Sequence, residues 1–239
     1  MASMRKENPL AAVGVLDTEL SRMAALVESQ LSGALSAFER RDIAAAERLI
    51  DSDLRVDDFD RDIEIQAMAL LAQGPYDEAV LREIVTIMKL SGELERVGDL
   101  AKNIAKRTLV VAREPNPGPI TGVARIGRAC LRQFSDILDA YTSRDVKAAW
   151  AVWGADDEVD ELYNSVFQEI LLAMMDDRGS VNACTHLGFI AKNFERVGDH
   201  ATNIAEAIHF VVTGEPLMER RPTGDETPTT VVTPRSAGL

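Results

Sequence analysis

Carboxylates four residues apart recur in this chain as Asp53 with Asp57, Glu95 with Asp99, Asp156 with Asp160, and Glu195 with Asp199. On a helix that spacing puts both members on one face, where like charges oppose each other weakly. For a single pair the plain reading is a solvated face, and Lys102 offers Asp99 a local surface ion pair of little worth. Four pairs in two matched sets ask for a positive partner. If the two pairs of a set converge from adjacent antiparallel helices, crowding raises their pKa values and they cannot all stay ionised without a cation. A bound metal would resolve that conflict. Oxygen-only ligation favours Mg²⁺, Ca²⁺, Mn²⁺ or iron over metals that prefer nitrogen and sulfur.

The elements that must position these acids are written twice. Glu95-Arg96-Val97-Gly98-Asp99 returns as Glu195-Arg196-Val197-Gly198-Asp199, and Asn103-Ile104-Ala105 returns as Asn203-Ile204-Ala205, both at an offset of 100 residues. Upstream the offset is 103, matching Phe38, Arg41, Asp42 and Ile43 to Tyr141, Arg144, Asp145 and Val146, and Asp53, Val56 and Asp57 to Asp156, Val159 and Asp160. A period near 100 residues is too long for a solenoid array and marks the duplication of one subdomain. Gly98 and Gly198 cost each helix roughly 1 kcal/mol relative to alanine. Both copies keep one, which leaves room for a neighbouring helix or a ligand close to the backbone.

Of the 239 residues, 46% are hydrophobic and only 5% aromatic, a balance that suits packed helices rather than a β-sandwich. The net charge of −13 argues against a nucleic-acid partner, whose recognition needs clustered Lys and Arg. Cys130 and Cys184 lie on apolar stretches without CxxC spacing, as expected of reduced core thiols in a cytosolic protein. No apolar run is long enough to span a bilayer and the N-terminus lacks a signal-peptide core, so a cytoplasmic protein with no direct membrane insertion is expected.

In chain order, Val13, Leu16, Leu20, Met23, Val27, Leu31, Ala34 and Phe38 step by threes and fours and predict a long first helix. Arg40-Arg41-Asp42 breaks it, with Asp42 placed as the N-cap of a second helix running to about Gln73. After the Gly74-Pro75 turn a third helix runs from about Asp77 to Arg113. Three more follow: Val123 to about Ser143, Asp145 to Met175, and a last one ending near Gly214-Glu215-Pro216. The expected fold is all-α, with two tandem three-helix bundles packed as one unit. The divisions are a flexible N-terminus (1–8), repeat 1 (9–114), a Pro/Gly linker (115–119), repeat 2 (120–216) and a disordered tail (217–239).

Catalytic signals are thin. His186 and His209 sit among apolar residues and read as packing or surface histidines, and no nucleophile elbow, P-loop or dinucleotide fingerprint occurs. Carboxylate-bridged di-iron bundles use Glu-x-x-His, whereas the third residue after Glu95 and Glu195 is glycine in both copies. His200 follows only in the second copy, one position off register.

Taken together, the paired Glu-Arg-Val-Gly-Asp strings, Asn103-Ile104 and Asn203-Ile204 behind them, and Asp53/Asp57 and Asp156/Asp160 ahead resemble the PhoU family from about Leu10 to Gly214. The resemblance implies a cytoplasmic, non-enzymatic regulator of phosphate homeostasis. It would act as an accessory of the high-affinity phosphate ABC transporter, restraining uptake and signalling phosphate sufficiency to a membrane sensor histidine kinase. Expected partners are the transporter's ATPase subunit, that kinase and, as a homodimer, a second copy of the chain. The family's acidic motifs bind metals, in some members as iron or zinc clusters. Carried over by position, Asp53, Asp57, Glu95 and Asp99 would form one metal site, and Asp156, Asp160, Glu195 and Asp199 the other. The ion would be iron, zinc, manganese or magnesium. The competing expectation is a carboxylate-bridged helical protein with ferritin-like redox or hydrolytic activity.

Overall fold

A computed structural model of the chain describes residues 9–51, 54–115, 117–218 and 227–230, with the side chains of residues 9, 10, 54, 156 and 228 also outside the description. The described residues form eight α-helices and no strand. In order they are α1 (Pro9–Arg40), α2 (Ile43–Asp51), α3 (Leu54–Leu71), α4 (Glu78–Val111), α5 (Ile120–Ser143), α6 (Val146–Gly154), α7 (Asp156–Asp176) and α8 (Val181–Thr213). The expected flexible N-terminus (1–8) and, of the expected tail (217–239), residues 219–226 and 231–239 lie outside the described residues, while 227–229 make a 3-10 turn. None of the described helices is long and apolar enough to cross a membrane.

Each long element is fixed by its own residues. The α1 seam from Val13 to Phe38 is buried throughout, as are Val80, Ile84, Ile87, Leu94, Ala101 and Ala105 on α4. Asp77 caps α4 by accepting the Val80 N–H at 2.9 Å, and Gly214 ends α8 in the left-handed conformation that costs glycine least. The expected Asp42 cap is present, accepting the Ala45 N–H at 3.0 Å, and its repeat 2 counterpart Asp145 accepts those of Lys147 and Ala148 at 2.9 and 3.1 Å.

Both copies also turn the chain the same way before that cap. Arg41 and Arg144 have φ values of 54° and 53°, a left-handed conformation rare for a residue with a Cβ. Their side chains then diverge. The Arg41 guanidinium donates to the carbonyls of Val111, Ala112 and Glu114, closing the C-terminal end of α4. Arg144 instead lies over the Tyr141 ring and pairs with Glu83 at 3.0 Å and Asp17 at 3.6 Å, joining α5 to α4 and α1.

The second helix of repeat 2 is not continuous, contrary to the reading of one helix from Asp145 to Met175. It ends at Gly154 and restarts at Asp156, with Ala155 N–H reaching back to the Val152 carbonyl at 3.1 Å. Glycine is a poor helix former, and Asp157 and Glu158 suit the positive end of a new helix. In repeat 1 the corresponding stretch, residues 52–53, lies outside the described residues.

The two repeats share one hydrophobic core that draws on residues from Val13 to Ile208. Its centre is the pair α4 and α8, the helices that carry the repeated string, packed along one another. Gly127 lets α5 into this core: a Cβ there would stand 2.7 Å from Leu35 Cδ1 and 2.8 Å from Phe194 Cζ. Leu217, assigned above to the tail, packs against the core beside Trp150, Trp153 and His209.

Candidate functional site

In repeat 1 the acids sit where α3 runs against α4. Glu95 is half-buried, while Asp57 and Asp99 are exposed. Burial pushes the Glu95 carboxyl above its ordinary value, and the negative charges of Asp99, Asp60 and Asp57 add to the shift. Asp60 accepts a hydrogen bond from Ser91 Oγ, which holds it at the α3–α4 contact. Lys102 stands 3.9 Å from Asp99 on the outer side, as its spacing suggested. Asp53 lies outside the described residues.

Gly98 serves close packing. A Cβ on it would meet Val56 Cγ1 of α3 at 3.2 Å, so what comes near the α4 backbone here is a neighbouring helix.

Repeat 2 builds the same junction from α7 and α8, and buries it more deeply. Glu195 is 4% and Asp160 5% exposed, while Asp199 is half-buried. The side chain of Asp156 lies outside the described residues. Lys192 Nζ donates to Glu195 Oε1 at 2.7 Å and stands 5.0 Å above the Tyr163 ring. Glu195 Oε2 is buried with no hydrogen-bond partner. Burial is the largest cause raising the Glu195 carboxyl; Asp199 and Asp160 add to it and Lys192 opposes it, leaving the group titrating at about 7.

As placed, no three His, Cys, Asp or Glu side chains among the described residues are gathered as a set that could hold a metal ion. The donor chemistry nonetheless fits a hard, oxygen-bound cation. Its clearest sign is the orphaned Glu195 oxygen, since a buried carboxylate oxygen without a donor is costly.

Sequence reasoning assigned no site role to four residues that shape these junctions: Asp60, which it counted only among the acids of the second helix, Ser91, Tyr163 and Lys192. The signal was present in the repeat itself, because Asp60 aligns with Tyr163 at one offset and Gly92 with Lys192 at the other. It also missed Glu93, whose carboxylate meets His200 Nδ1 at 2.6 Å and Asn203 Nδ2 at 3.0 Å across the two repeats. His209 is a packing histidine, accepting from Trp150 Nε1 at 3.3 Å. Neither Cys130 nor Cys184 is in a disulfide, and both are buried in the core.

The described residues form an all-α protein built from a doubled helical unit, with acids where α3 meets α4 and where α7 meets α8. The PhoU domain pattern matches this chain twice, over residues 20–108 and 123–208. The chain is 45% identical over 208 residues to a phosphate-specific transport system accessory protein PhoU homolog of Caulobacter vibrioides, covering 87% of this chain and 90% of the relative. It is 39% identical to a homolog of the same name from Rhizobium meliloti, covering 90% and 91%. The crystal structure of PhoU from Pseudomonas aeruginosa superposes with a TM-score of 0.84 at 29% identity, covering 87% of this chain and all of that one. The chain belongs to the PhoU family.

Proposed function

We propose that this protein is an accessory of a phosphate-specific transport system that restrains phosphate uptake and reports phosphate sufficiency. The observation that supports this most strongly is the match of both repeats to the PhoU domain, together with relatives named accessory proteins of that system. The protein works in the cytoplasm by docking rather than by catalysis. It contacts the transporter's ATPase subunit and a membrane sensor histidine kinase whose starvation response it holds off, and it acts as a homodimer.

The acidic junctions are cation sites that tune this docking, one built from Asp53, Asp57, Glu95 and Asp99 and the other from Asp156, Asp160, Glu195 and Asp199. Iron, zinc, manganese and magnesium all accept oxygen ligands of this kind. Ferritin-like redox or hydrolytic chemistry has less support, because neither copy carries the Glu-x-x-His arrangement of di-iron bundles and Gly98 is packed against α3.

The test is deletion of the gene in phosphate-replete medium. Phosphate uptake and starvation-gene expression are expected to rise, and complementation should restore both. Unchanged uptake and expression would sink the assignment.

A further inference from the structure

The chain leaves α8 beside its two tryptophans, both on α6. Trp153 is 7% exposed and Trp150 half-buried, and their rings meet edge to face at 5.3 Å. Trp150 Nε1 donates to His209 Nδ1 at 3.3 Å, which pins the pair to the last turns of α8. At Gly214 the backbone turns left-handed, with φ at 81°, and the Glu215 N–H donates back to Thr213 Oγ1 at 3.1 Å. Glu215, Pro216 and Met218 are exposed. Leu217 alone of these four residues is half-buried, and it closes a cleft lined by Ala149, Trp150, Trp153, Ala205 and His209. With Leu217 in place the cleft keeps about 10 Å³, room for one water at most. Repeat 1 has Glu47, Ile50 and Leu109 where repeat 2 has Trp150, Trp153 and His209, so the shared fold does not require the aromatic cluster.

We propose that residues 215–218 are a releasable latch: Leu217 holds an aromatic docking cleft of repeat 2 shut, and the cleft takes an apolar side chain from another molecule only after Leu217 has left it. The occupant in the structure is the chain's own leucine, and its hold is limited by its surroundings. One half-buried leucine between exposed neighbours shifts an open–closed equilibrium by about tenfold. Ordering the residues that carry it opposes closure. That opposition is kept small, because Gly214, the Thr213 hydrogen bond and the fixed φ of Pro216 already set the turn. The closed state therefore predominates by a margin that a competing aliphatic or aromatic side chain can overcome. Opening bares two indole rings and the His209 ring together, and aromatic surface of this kind is well suited to gripping an apolar anchor.

Because both tryptophans line the cleft, fluorescence of the full chain reads the latch directly. Leu217→Asp and Leu217→Ala are compared with wild type and with Met218→Asp, a change at an 88% exposed neighbour. Leu217→Asp should shift the tryptophan emission to the red and speed its quenching by acrylamide. Its melting temperature should stay near that of wild type, since only the latch has let go. The apolar dye anilinonaphthalene sulfonate probes the opened cleft, and energy transfer from the tryptophans places it there. Wild type must open before the dye enters, so Leu217→Asp should bind it about tenfold more tightly. Leu217→Ala should fall between the two, and Met218→Asp should match wild type. Equal dye binding by wild type and Leu217→Asp, or the same red shift in Met218→Asp, would overturn the inference. A melting temperature for Leu217→Asp as low as that of the core variant Ile208→Ala would overturn it too, by making Leu217 part of the core. Should Leu217→Asp prove insoluble, Leu217→Ala is read by the same criteria.

Discussion

His200 Nδ1 of repeat 2 lies 2.6 Å from Glu93 Oε2 of repeat 1, and Asn203 Nδ2 reaches the same oxygen at 3.0 Å. Burial alone would raise the Glu93 carboxyl. The hydrogen bonds from His200 and Asn203 outweigh it and hold the group below its ordinary value. The tie therefore spans the α4–α8 contact that joins the two repeats. At the position matching His200, repeat 1 carries Leu100, which is buried. His200→Leu should leave the carboxylate under-satisfied and cost about 1–3 kcal/mol in urea denaturation. Adding Glu93→Gln should recover part of that loss, because a neutral amide is cheaper to leave half-paired. Equal urea midpoints for wild type and His200→Leu would show that the tie adds nothing to stability.

A second expectation concerns close packing. A Cβ at Gly127 would stand 2.7 Å from Leu35 and 2.8 Å from Phe194, both of them core side chains. Gly127→Ala should destabilise the protein by about 1–3 kcal/mol, the usual cost of overpacking. Gly188→Ala on α8 is the control: its Cβ would meet nothing within 4 Å, and the substitution should gain up to roughly 1 kcal/mol from helix propensity alone. Thermal or urea unfolding of both variants separates the two effects. A neutral Gly127→Ala would mean that α5 can shift away without loss.

Much of this architecture was legible because helix burial follows a period that sequence displays. Every residue of the α1 seam proved buried, and the Asp42 cap was in place. The break at Gly154 was harder to see, because the apolar spacing runs on across it and only the glycine and the acids that follow mark the restart. The acidic junctions were visible as spacing, whereas their inequality was not. Matching the repeats by what they share directs attention to Glu95 and Glu195 and away from Gly92 and Lys192, where they differ. The Glu93–His200 tie was invisible for another reason: its partners are 107 positions apart and neither repeat predicts it from its own pattern.

The twin left-handed arginines should respond differently to the same substitution. Replacing either with glycine removes a backbone strain of about 1–2 kcal/mol. At Arg41 the change also deletes donors to three carbonyls at the end of α4, and hydrogen bonds from a charged group contribute about 1.5–3 kcal/mol. Arg41→Gly should therefore be destabilising on balance. Arg144 spends its charge on partly exposed ion pairs with Glu83 and Asp17, which contribute about 0–1 kcal/mol each. Arg144→Gly should be close to neutral. Urea midpoints for the two variants, measured side by side, check the order, and an Arg144→Gly loss larger than that of Arg41→Gly would reverse the assignment of roles.

Glu195 gives the metal-free protein a pH dependence whose sign follows from its environment. Burial, with Asp199 and Asp160 nearby, raises its carboxyl from 4.5 to about 7 in the folded protein. Between those values the folded state holds a proton that the unfolded state has released. Stability must therefore fall as pH rises through that window, and it is highest, for this group, below 4.5. The full loss is on the order of 3 kcal/mol at most, since each pKa unit is worth about 1.4 kcal/mol. Glu95, also raised by burial and neighbouring acids, adds to the decline in the same direction. In chelator-treated protein the melting temperature should drop between pH 5 and pH 7, and Glu195→Gln should flatten most of that drop while removing the orphaned carboxylate oxygen. Adding Mn²⁺ should lift stability chiefly at the upper end, where the ligands are deprotonated, because metal binding releases protons. A wild-type profile that rises with pH across this window and is unchanged by Glu195→Gln would place the titrating group elsewhere.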